Sequence, residues 1–292
     1  MAQQPMAEVF GFPAENMSER AQRHRKNRLC PFNNKVPNCT KDKANDPLGV
    51  CSVFDSTDEP VITCPIRFRQ DWLIAEDAAS FFFSSGEAWT SLTEIRLNDS
   101  DGLSAGNIDL VLVSYDERGR IMNFGSLEIQ AVYISGNIRD HFSTYMDAPS
   151  AYLAGDRSRR MPPRPDYLSS SRKRLLPQLL YKGSILKHWG KRQAVALHRK
   201  FFETLPRFDE VDKATADMAW LIYDLERVES EYQLRLVKTV YTQFEPALAR
   251  IATPRIGQLD HFVSHLQRKL DEKLENGSNT PDAPTLSDGE LS

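Results

Sequence analysis

The sequence predicts an α/β protein, and three observations support this fold class. A β-hairpin that carries two acids lies near the middle of the chain, and segments with helical spacing precede and follow it. All four cysteines fall in a separate N-terminal stretch. We therefore expect a four-cysteine module over residues 1–70, a core over 71–275 with a basic, mainly helical C-terminal half, and a disordered polar tail over 276–292.

The N-terminal stretch is rich in Pro, Asn, Lys and Cys, and its segments "CPFNNKVPNC" and "KDKANDPLGVC" have the composition of turns. Its cysteines are Cys30, Cys39, Cys51 and Cys64. Disulfides are not expected in a chain without a secretion signal, which leaves a metal site or buried free thiols. The spacing lacks the short knuckles of common zinc modules, so it leaves both alternatives open. Four thiolates would suit tetrahedral zinc or iron.

Composition argues against a membrane protein. No window approaches about 18 uninterrupted apolar residues, the length that a membrane-spanning helix requires. The N-terminus "MAQQPMAEVFGF" has no charged segment followed by an apolar one, as a secretion signal would have. We therefore expect a cytoplasmic protein without a membrane partner.

Charge is distributed unevenly along the chain, although the net charge is only -3. Between residues 157 and 200 there are 13 Lys or Arg residues and a single acid, Asp166. A region of this size can bind a polyanion such as DNA, whereas the shorter basic cluster at 20–28 is typical of solvated surface. The DNA-contacting candidates are Arg157, Arg159, Arg160, Arg172, Lys173 and Arg174.

The hairpin consists of the strand candidates "IDLVLVSYD" and "GSLEIQAVYI", joined by a turn at "ERGR". A period of two places Glu128 and Gln130 on the same face of the second strand, while Asp109 opens the first strand. Antiparallel pairing brings such acids together. Two neighbouring carboxylates repel each other unless a cation lies between them, and a hard ion such as Mg²⁺ suits oxygen ligands.

An Asp on one strand followed by Glu-x-Lys on the next is the signature of the PD-(D/E)XK nuclease superfamily, and Gln130 stands here in place of the lysine. The pattern is short enough to occur by chance. In the structural alternative, Asp109 caps a turn and Glu128 pairs with Arg96 or Arg120.

Helical spacing is expected on both sides of the hairpin. Upstream, residues 71–97 predict a helix that is interrupted at "SFFFSSG" and carries Glu94 near its end. Downstream, loops and short helices are expected to about residue 183, after which helical spacing resumes. The segments "MAWLIYDLERV", "YQLRLVKTVYTQF" and "LDHFVSHLQRKLDEKL" also predict helices.

Two unrelated motifs of this sequence occur in the order found in one nuclease family. The segment "LTEIRLNDSDGLSAGNIDLVLVSYDERGRIMNFGSLEIQAVYISGN" resembles the active-site region of the NotI-type restriction endonucleases. "LCPFNN", "PNC", "PLGVCSVF" and "ITCPIRF" resemble the four-cysteine metal module of that family. The resemblance covers residues 28–140.

The resemblance implies a PD-(D/E)XK core with a central mixed sheet flanked by helices, and a homodimer that cuts both strands of DNA at a GC-rich palindrome. It further implies Asp109 and Glu128 as Mg²⁺ ligands, Gln130 in the lysine position and Glu94 as a helix acid completing the site. The four cysteines would bind one structural metal, Fe or Zn. A bacterial cytoplasm and a cognate DNA methyltransferase, without a stable complex, are also implied.

Two alternative functions remain open at this point. A less specific DNA repair or mobile-element nuclease would use the same core. In a non-catalytic DNA-binding protein held together by a structural metal, the acids would only stabilise the fold.

Overall fold

The computed structural model describes residues 4–43, 45–155, 162–254 and 256–275. The Cα positions divide the chain into two compact units, Met1–Ala252 and Thr253–Ser292. The expected boundary at residue 70 stays a prediction. The expected disordered tail at 276–292 lies outside the described residues, as do Arg157, Arg159 and Arg160.

The described strands, in chain order, are β1 (Met6–Val9), β2 (Phe12–Pro13), β3 (Asp42–Lys43), β4 (Asp46–Pro47), β5 (Val50–Phe54), β6 (Pro60–Ile62), β7 (Trp89–Asn98), β8 (Ser104–Tyr115), β9 (Ile121–Gln130), β10 (Tyr133–Ser135), β11 (Arg164–Asp166), β12 (Gln193–His198), β13 (Met218–Val228) and β14 (Glu231–Thr242).

The described α-helices are α1 (Glu19–Lys26), α2 (Leu73–Phe82), α3 (Ile138–Asp147), α4 (Pro149–Ala154), α5 (Tyr167–Ser170), α6 (Leu176–Gln178), α7 (Ser184–His188), α8 (Arg199–Phe202), α9 (Phe244–Ala252) and α10 (Leu259–Glu275). A 3-10 segment spans Pro65–Trp72, and π-helical segments span Ser171–Leu175 and Leu179–Gly183.

The main architectural element is a six-stranded mixed sheet in the order β14-β13-β12-β9-β8-β7. Strands β7, β8 and β9 form an antiparallel meander, β12 runs parallel to both β9 and β13, and β14 returns antiparallel to β13. The expected α/β class with a central mixed sheet flanked by helices is therefore confirmed. The predicted hairpin is formed by β8 and β9 of this sheet.

The two faces of the sheet are covered by different helices because its side chains alternate. On one face, apolar residues of β8, β9, β12 and β13 pack against α2, with Leu127 and Ile129 among them. On the other face, Leu175 and Leu179 pack against β12 and β13. Glu128 lies between Leu127 and Ile129 in sequence and therefore faces this second layer.

The second layer is a composite helix of residues 167–188, in which α5, α6 and α7 are joined by the two π-helical segments. Each π-helical turn accommodates an extra residue and changes the direction of the side chains that follow. The helix lies very close to its neighbours, because a Cβ added at Gly183 would stand 2.6 Å from the Phe244 ring. The amide of Gln193 donates to the Gly183 carbonyl at 2.9 Å.

A second sheet, β2-β1-β5-β6, lies in the N-terminal stretch and is antiparallel. A fully buried ion pair connects it to the large sheet. Arg67 Nε lies 3.0 Å from the Glu8 carboxylate, and the same guanidinium donates to the Tyr232 carbonyl at 2.8 Å. The N-terminal stretch therefore contains more regular structure than its turn-rich composition suggested.

The expectation of a helix through residue 97 was wrong. The helix ends at Phe82, and β7 then carries Glu94. Residues "WTSLTEIRLN" favour a strand once β8 is available as a partner, because Trp, Thr and Ile pack well on a pleated surface.

The helices expected over "MAWLIYDLERV" and "YQLRLVKTVYTQF" were also wrong, because these segments form β13 and β14 of the large sheet. Strand β13 is buried on both faces along Met218–Tyr223, and such an apolar run does not show the alternation of a half-exposed strand. The segment "YLSSSRKR", in the stretch where loops and short helices are expected, belongs to the composite helix.

The second unit contains α10, whose apolar residues Leu259, Phe262, Val263, Leu266, Leu270 and Leu274 are exposed. None of the described helices combines the length and apolarity needed to cross a membrane.

Candidate active site

The hairpin brings Asp109 and Glu128 together. Leu110 on β8 pairs with Leu127 on β9, so the two acids occupy the next position on adjacent antiparallel strands. The carboxylate of Asp109 accepts a hydrogen bond from the backbone N–H of Ile129 at 2.8 Å. This bond fixes Asp109 against the strand that carries Glu128.

Glu128 is only 6% exposed, and its environment opposes ionisation. Its pKa is raised to about 7, chiefly because burial penalises the carboxylate and next because Asp109 lies nearby, whereas Lys182 acts to lower it. Its Oε1 atom is buried and accepts no hydrogen bond from the described donors. A carboxyl with this environment is a candidate for binding a cation.

Lys182 is the partner of Glu128, in place of Arg96 or Arg120. The Lys182 ammonium donates to Glu128 Oε2 at 2.6 Å and to the Asn107 carbonyl at 2.8 Å. Arg120 instead pairs with Asp116 in the turn. Sequence reasoning missed Lys182 because it lies 54 residues after Glu128. One signal was available, since this lysine stands within the largely apolar run "QLLYKGSIL".

Gln130 follows on the same face and is 3% exposed. Its amide nitrogen donates to the Ala131 carbonyl at 2.9 Å, so its amide oxygen remains an acceptor. Gln130 and Asp109 line a cleft of about 680 Å³ together with Arg174 and Gln178. The opposite wall includes Thr63, Cys64, Pro65 and Ile66. Asp109 is thus accessible from a cleft that the cysteine-bearing segment also lines, whereas Glu128 lies buried behind it.

Glu94 lies on β7, the first strand of the meander. The neighbouring pairs Thr93–Leu110 and Ile95–Ile108 place it opposite Asp109. Its backbone has a left-handed φ of 57°, and its side chain is 64% exposed, with a carboxylate oxygen 3.5 Å from Lys35 Nζ. Its expected position on a helix was wrong.

The four cysteines converge although they come from separate loops and β5. All four line one small cavity, together with Phe10 and Phe32. Burial raises the pKa of the Cys30 thiol to about 12, and the adjacent Cys64 and Cys39 contribute to the increase. In the described part of the chain, no three His, Cys, Asp or Glu side chains form a ready metal-holding group. The chemistry of four soft thiols around one cavity nevertheless suits a tetrahedral zinc or iron ion.

Many of the basic residues between 157 and 200 have structural partners. Lys187 pairs with Asp217, Arg199 with Glu59, Glu203 and Asp224, and Lys200 with Asp55 and Glu59. Arg172, Lys173 and Arg174 are different, because they are exposed on a π-helical segment and form no ion pair among the described residues. Arg174 lies over the Tyr133 ring at 5.2 Å and lines the cleft.

Comparison with known families adds the decisive observation. The family described as restriction endonuclease NotI matches residues 15–236. The chain belongs to the NotI restriction endonuclease family. The match includes all four cysteines, the β8–β9 hairpin and the composite helix, and ends within β14. None of the curated proteins compared with the chain matches it.

Membership of the NotI family makes this protein a type II restriction endonuclease, an enzyme that hydrolyses DNA at specific sites. The expectation of a NotI-type enzyme is confirmed. Restriction endonucleases typically use Mg²⁺, and DNA is the partner on which they act.

Proposed function

We propose that Asp109 and Glu128 are the ligands of a catalytic Mg²⁺ ion in a PD-(D/E)XK nuclease core. The observation that carries this proposal is the juxtaposition of the two carboxylates on β8 and β9, with Asp109 lining the cleft. Their oxygen donors suit a hard divalent cation, and the unpartnered Oε1 of Glu128 offers a ligand position. Mg²⁺ bound there would lower the pKa of a coordinated water and neutralise charge on the scissile phosphate.

The chain's own residues have defined tasks in this proposal. Asp109 and Glu128 hold the ion, and the Ile129 N–H holds Asp109 in position. Gln130 orients the attacking water through its amide oxygen, because a neutral amide cannot supply a positive charge. Glu94, opposite Asp109 on β7, contributes an outer acid to the site.

Cys30, Cys39, Cys51 and Cys64 would bind one structural Fe or Zn ion in the N-terminal module of residues 1–70. Metal binding by four thiolates stabilises the folded state of a segment that has few apolar residues of its own. The location of Cys64 in the cleft wall supports a second role, in which the module shapes the entrance for DNA.

DNA would be held by Arg172, Lys173 and Arg174 beside the cleft, and by Arg157, Arg159 and Arg160, which lie outside the described residues. Phosphate contacts provide salt-sensitive affinity, and arginine can read guanine bidentately in the major groove. We further propose a homodimer that cuts a GC-rich palindrome in a bacterial cytoplasm, where a cognate methyltransferase protects the host site without forming a stable complex.

Digestion of a large, fully sequenced and unmethylated DNA in Mg²⁺ tests this function, with every new end mapped by sequencing. Ends that share one GC-rich palindrome are expected. Glu128→Ala should abolish them while binding DNA in Ca²⁺ as the wild type does. Random ends would favour a repair or mobile-element nuclease, and DNA that is bound but uncut under several metals would favour a non-catalytic binding protein. An active Glu128→Ala enzyme would remove the proposed site.

A further inference from the structure

Lys182 is buried at an unusual place for a lysine. Its side chain is 6% exposed, and it is the one buried lysine in the part of the chain that the structure describes. Removing an ammonium from water is costly unless strong partners replace the lost hydration. The Glu128 carboxylate and the Asn107 carbonyl are those partners, at 2.6 and 2.8 Å.

The protein positions this ammonium through several independent contacts. Lys182 lies on the π-helical segment Leu179–Gly183, and such segments are frequent at functional sites. The next residue, Gly183, has no space for a side chain beside Phe244, and its carbonyl is held by Gln193. The helix that carries Lys182 is therefore fixed against the strand layer that carries Glu128.

Strand β9, which carries Glu128, offers no positively charged side chain to the acid pair. A lysine two residues after Glu128 would point toward the same face, but Gln130 occupies that position and is neutral. Lys182 reaches Glu128 from the opposing helix, so the ammonium enters the site from another part of the chain.

We propose that Lys182 is the active-site lysine of this enzyme, a positioning residue that holds Glu128 and places beside the acid pair the positive charge that Gln130 lacks. This inference rests on the proposed function of Asp109 and Glu128. It assigns a role that the hairpin motif does not contain. In a purely structural alternative, Lys182 would only neutralise buried acids and would be dispensable once a metal ion had bound.

Lys182→Met tests the proposal, with Lys187→Met as a matched control. Lys187 also belongs to the composite helix and also pairs with a carboxylate, Asp217, but it is far less buried. We measure thermal unfolding, cleavage of DNA in Mg²⁺ and calorimetric binding of Ca²⁺ to the DNA-free protein. Calcium binding is measured at about pH 8.5, where a carboxyl of ordinary or moderately raised pKa is ionised.

Lys182→Met should cleave roughly 100-fold more slowly, the usual loss when one positioned electrostatic group is removed. It should bind Ca²⁺ roughly 10-fold more tightly, because a neighbouring positive charge no longer repels the ion. The tighter Ca²⁺ binding would show that the acid pair is intact in the variant, so that the loss of cleavage reports the missing positive charge. Lys187→Met should leave both quantities unchanged.

A second substitution tests whether the charge itself is needed. Gln130→Lys in the Lys182→Met background should restore cleavage at least about 10-fold, since the strand position can present an ammonium to the same site. If Lys182→Met does not fold, Lys182→Arg replaces it and should cleave at least about 10-fold more slowly than wild type, because a guanidinium does not replace a buried ammonium.

The outcomes separate this inference from the function on which it rests. Wild-type rates for Lys182→Met, or for Lys182→Arg if only that variant folds, would overturn the role of Lys182 and leave the acid pair intact. Parallel losses of cleavage, Ca²⁺ binding and thermal stability, without rescue by Gln130→Lys, would also overturn it in favour of structure alone. A wild-type enzyme that cuts no DNA would overturn both proposals.

Discussion

The carboxylate of Asp109 accepts a hydrogen bond from the backbone N–H of Ile129 across 2.8 Å. The bond ties an acid of β8 to the backbone of β9 one residue beyond Glu128. The geometry of the acid pair is therefore set by the strand ladder rather than by flexible side chains.

Asp109→Asn should keep this hydrogen bond, because the amide oxygen is also an acceptor, but it removes the charge that a cation requires. We expect cleavage to fall at least about 100-fold with a melting temperature close to that of wild type. Asp116→Asn, which changes the turn acid of the same hairpin, should retain full activity. Equal activity of both variants would contradict the assignment of Asp109.

Cys51→Ser should lower the content of bound iron or zinc and the thermal stability together, because Cys51 lies on β5 and lines the cavity shared by the four thiols. Metal content is measured by mass spectrometry of the purified protein, and stability by thermal unfolding. Val53→Ala removes apolar volume from the same strand and serves as the control. It should lose stability but retain metal. Unchanged metal content in Cys51→Ser would exclude a four-thiolate site.

Low pH should reduce the folding stability of the enzyme, partly because Asp224 becomes protonated. Burial acts to raise the pKa of Asp224, but hydrogen bonds from His198 and Arg199 outweigh burial and hold it at about 2, below the ordinary value of 3.8. Because the folded-state pKa is depressed, this stabilisation is present above pH 3.8 and is lost as the pH falls toward about 2.

Asp224→Asn should therefore be less stable than wild type near neutral pH, and the difference should shrink between about pH 4 and 2. Chemical unfolding at a series of pH values measures this difference. Asp209→Asn alters an exposed pair with Arg250 and should change stability by no more than about 0.5 kcal/mol. A difference for Asp224→Asn that is constant with pH would contradict the linkage.

The double variant Arg172→Ala/Lys173→Ala should bind DNA more weakly in Ca²⁺ because two phosphate contacts beside the cleft are lost. The slope of log affinity against log salt should decrease by about 2, roughly one per contact. Arg235→Ala removes an exposed arginine from edge strand β14 and should leave the slope unchanged. An unchanged slope in the double variant would place the DNA elsewhere.

The local part of the site was predictable from sequence, whereas its long-range part was not. The hairpin and the shared face of Glu128 and Gln130 follow from a period of two within one segment. Glu94 lies on a strand rather than on the expected helix because the strand character of its segment depends on pairing with β8. Strand β13 was misassigned because burial on both faces removes the alternation that identifies a strand.

Lys182 illustrates a different limit of sequence reasoning. It stands among 13 basic residues, most of which have no relation to the acids, and nothing in the local pattern connects it with Glu128. Only the packing of the composite helix against β9 and β12 brings the two residues together. The isolated position of this lysine among apolar residues was the available indication.

The π-helical turns of the composite helix make the enzyme sensitive to insertions and deletions. Removing one residue between 179 and 181 would rotate the preceding turns against Lys182 by about 100°, the angle of one helical residue. Leu175 and Leu179 could then remain packed on the sheet only if the ammonium turned away from Glu128. A deletion here should therefore break the contact between Lys182 and Glu128 unless a second change in the same turn restores the length of the helix.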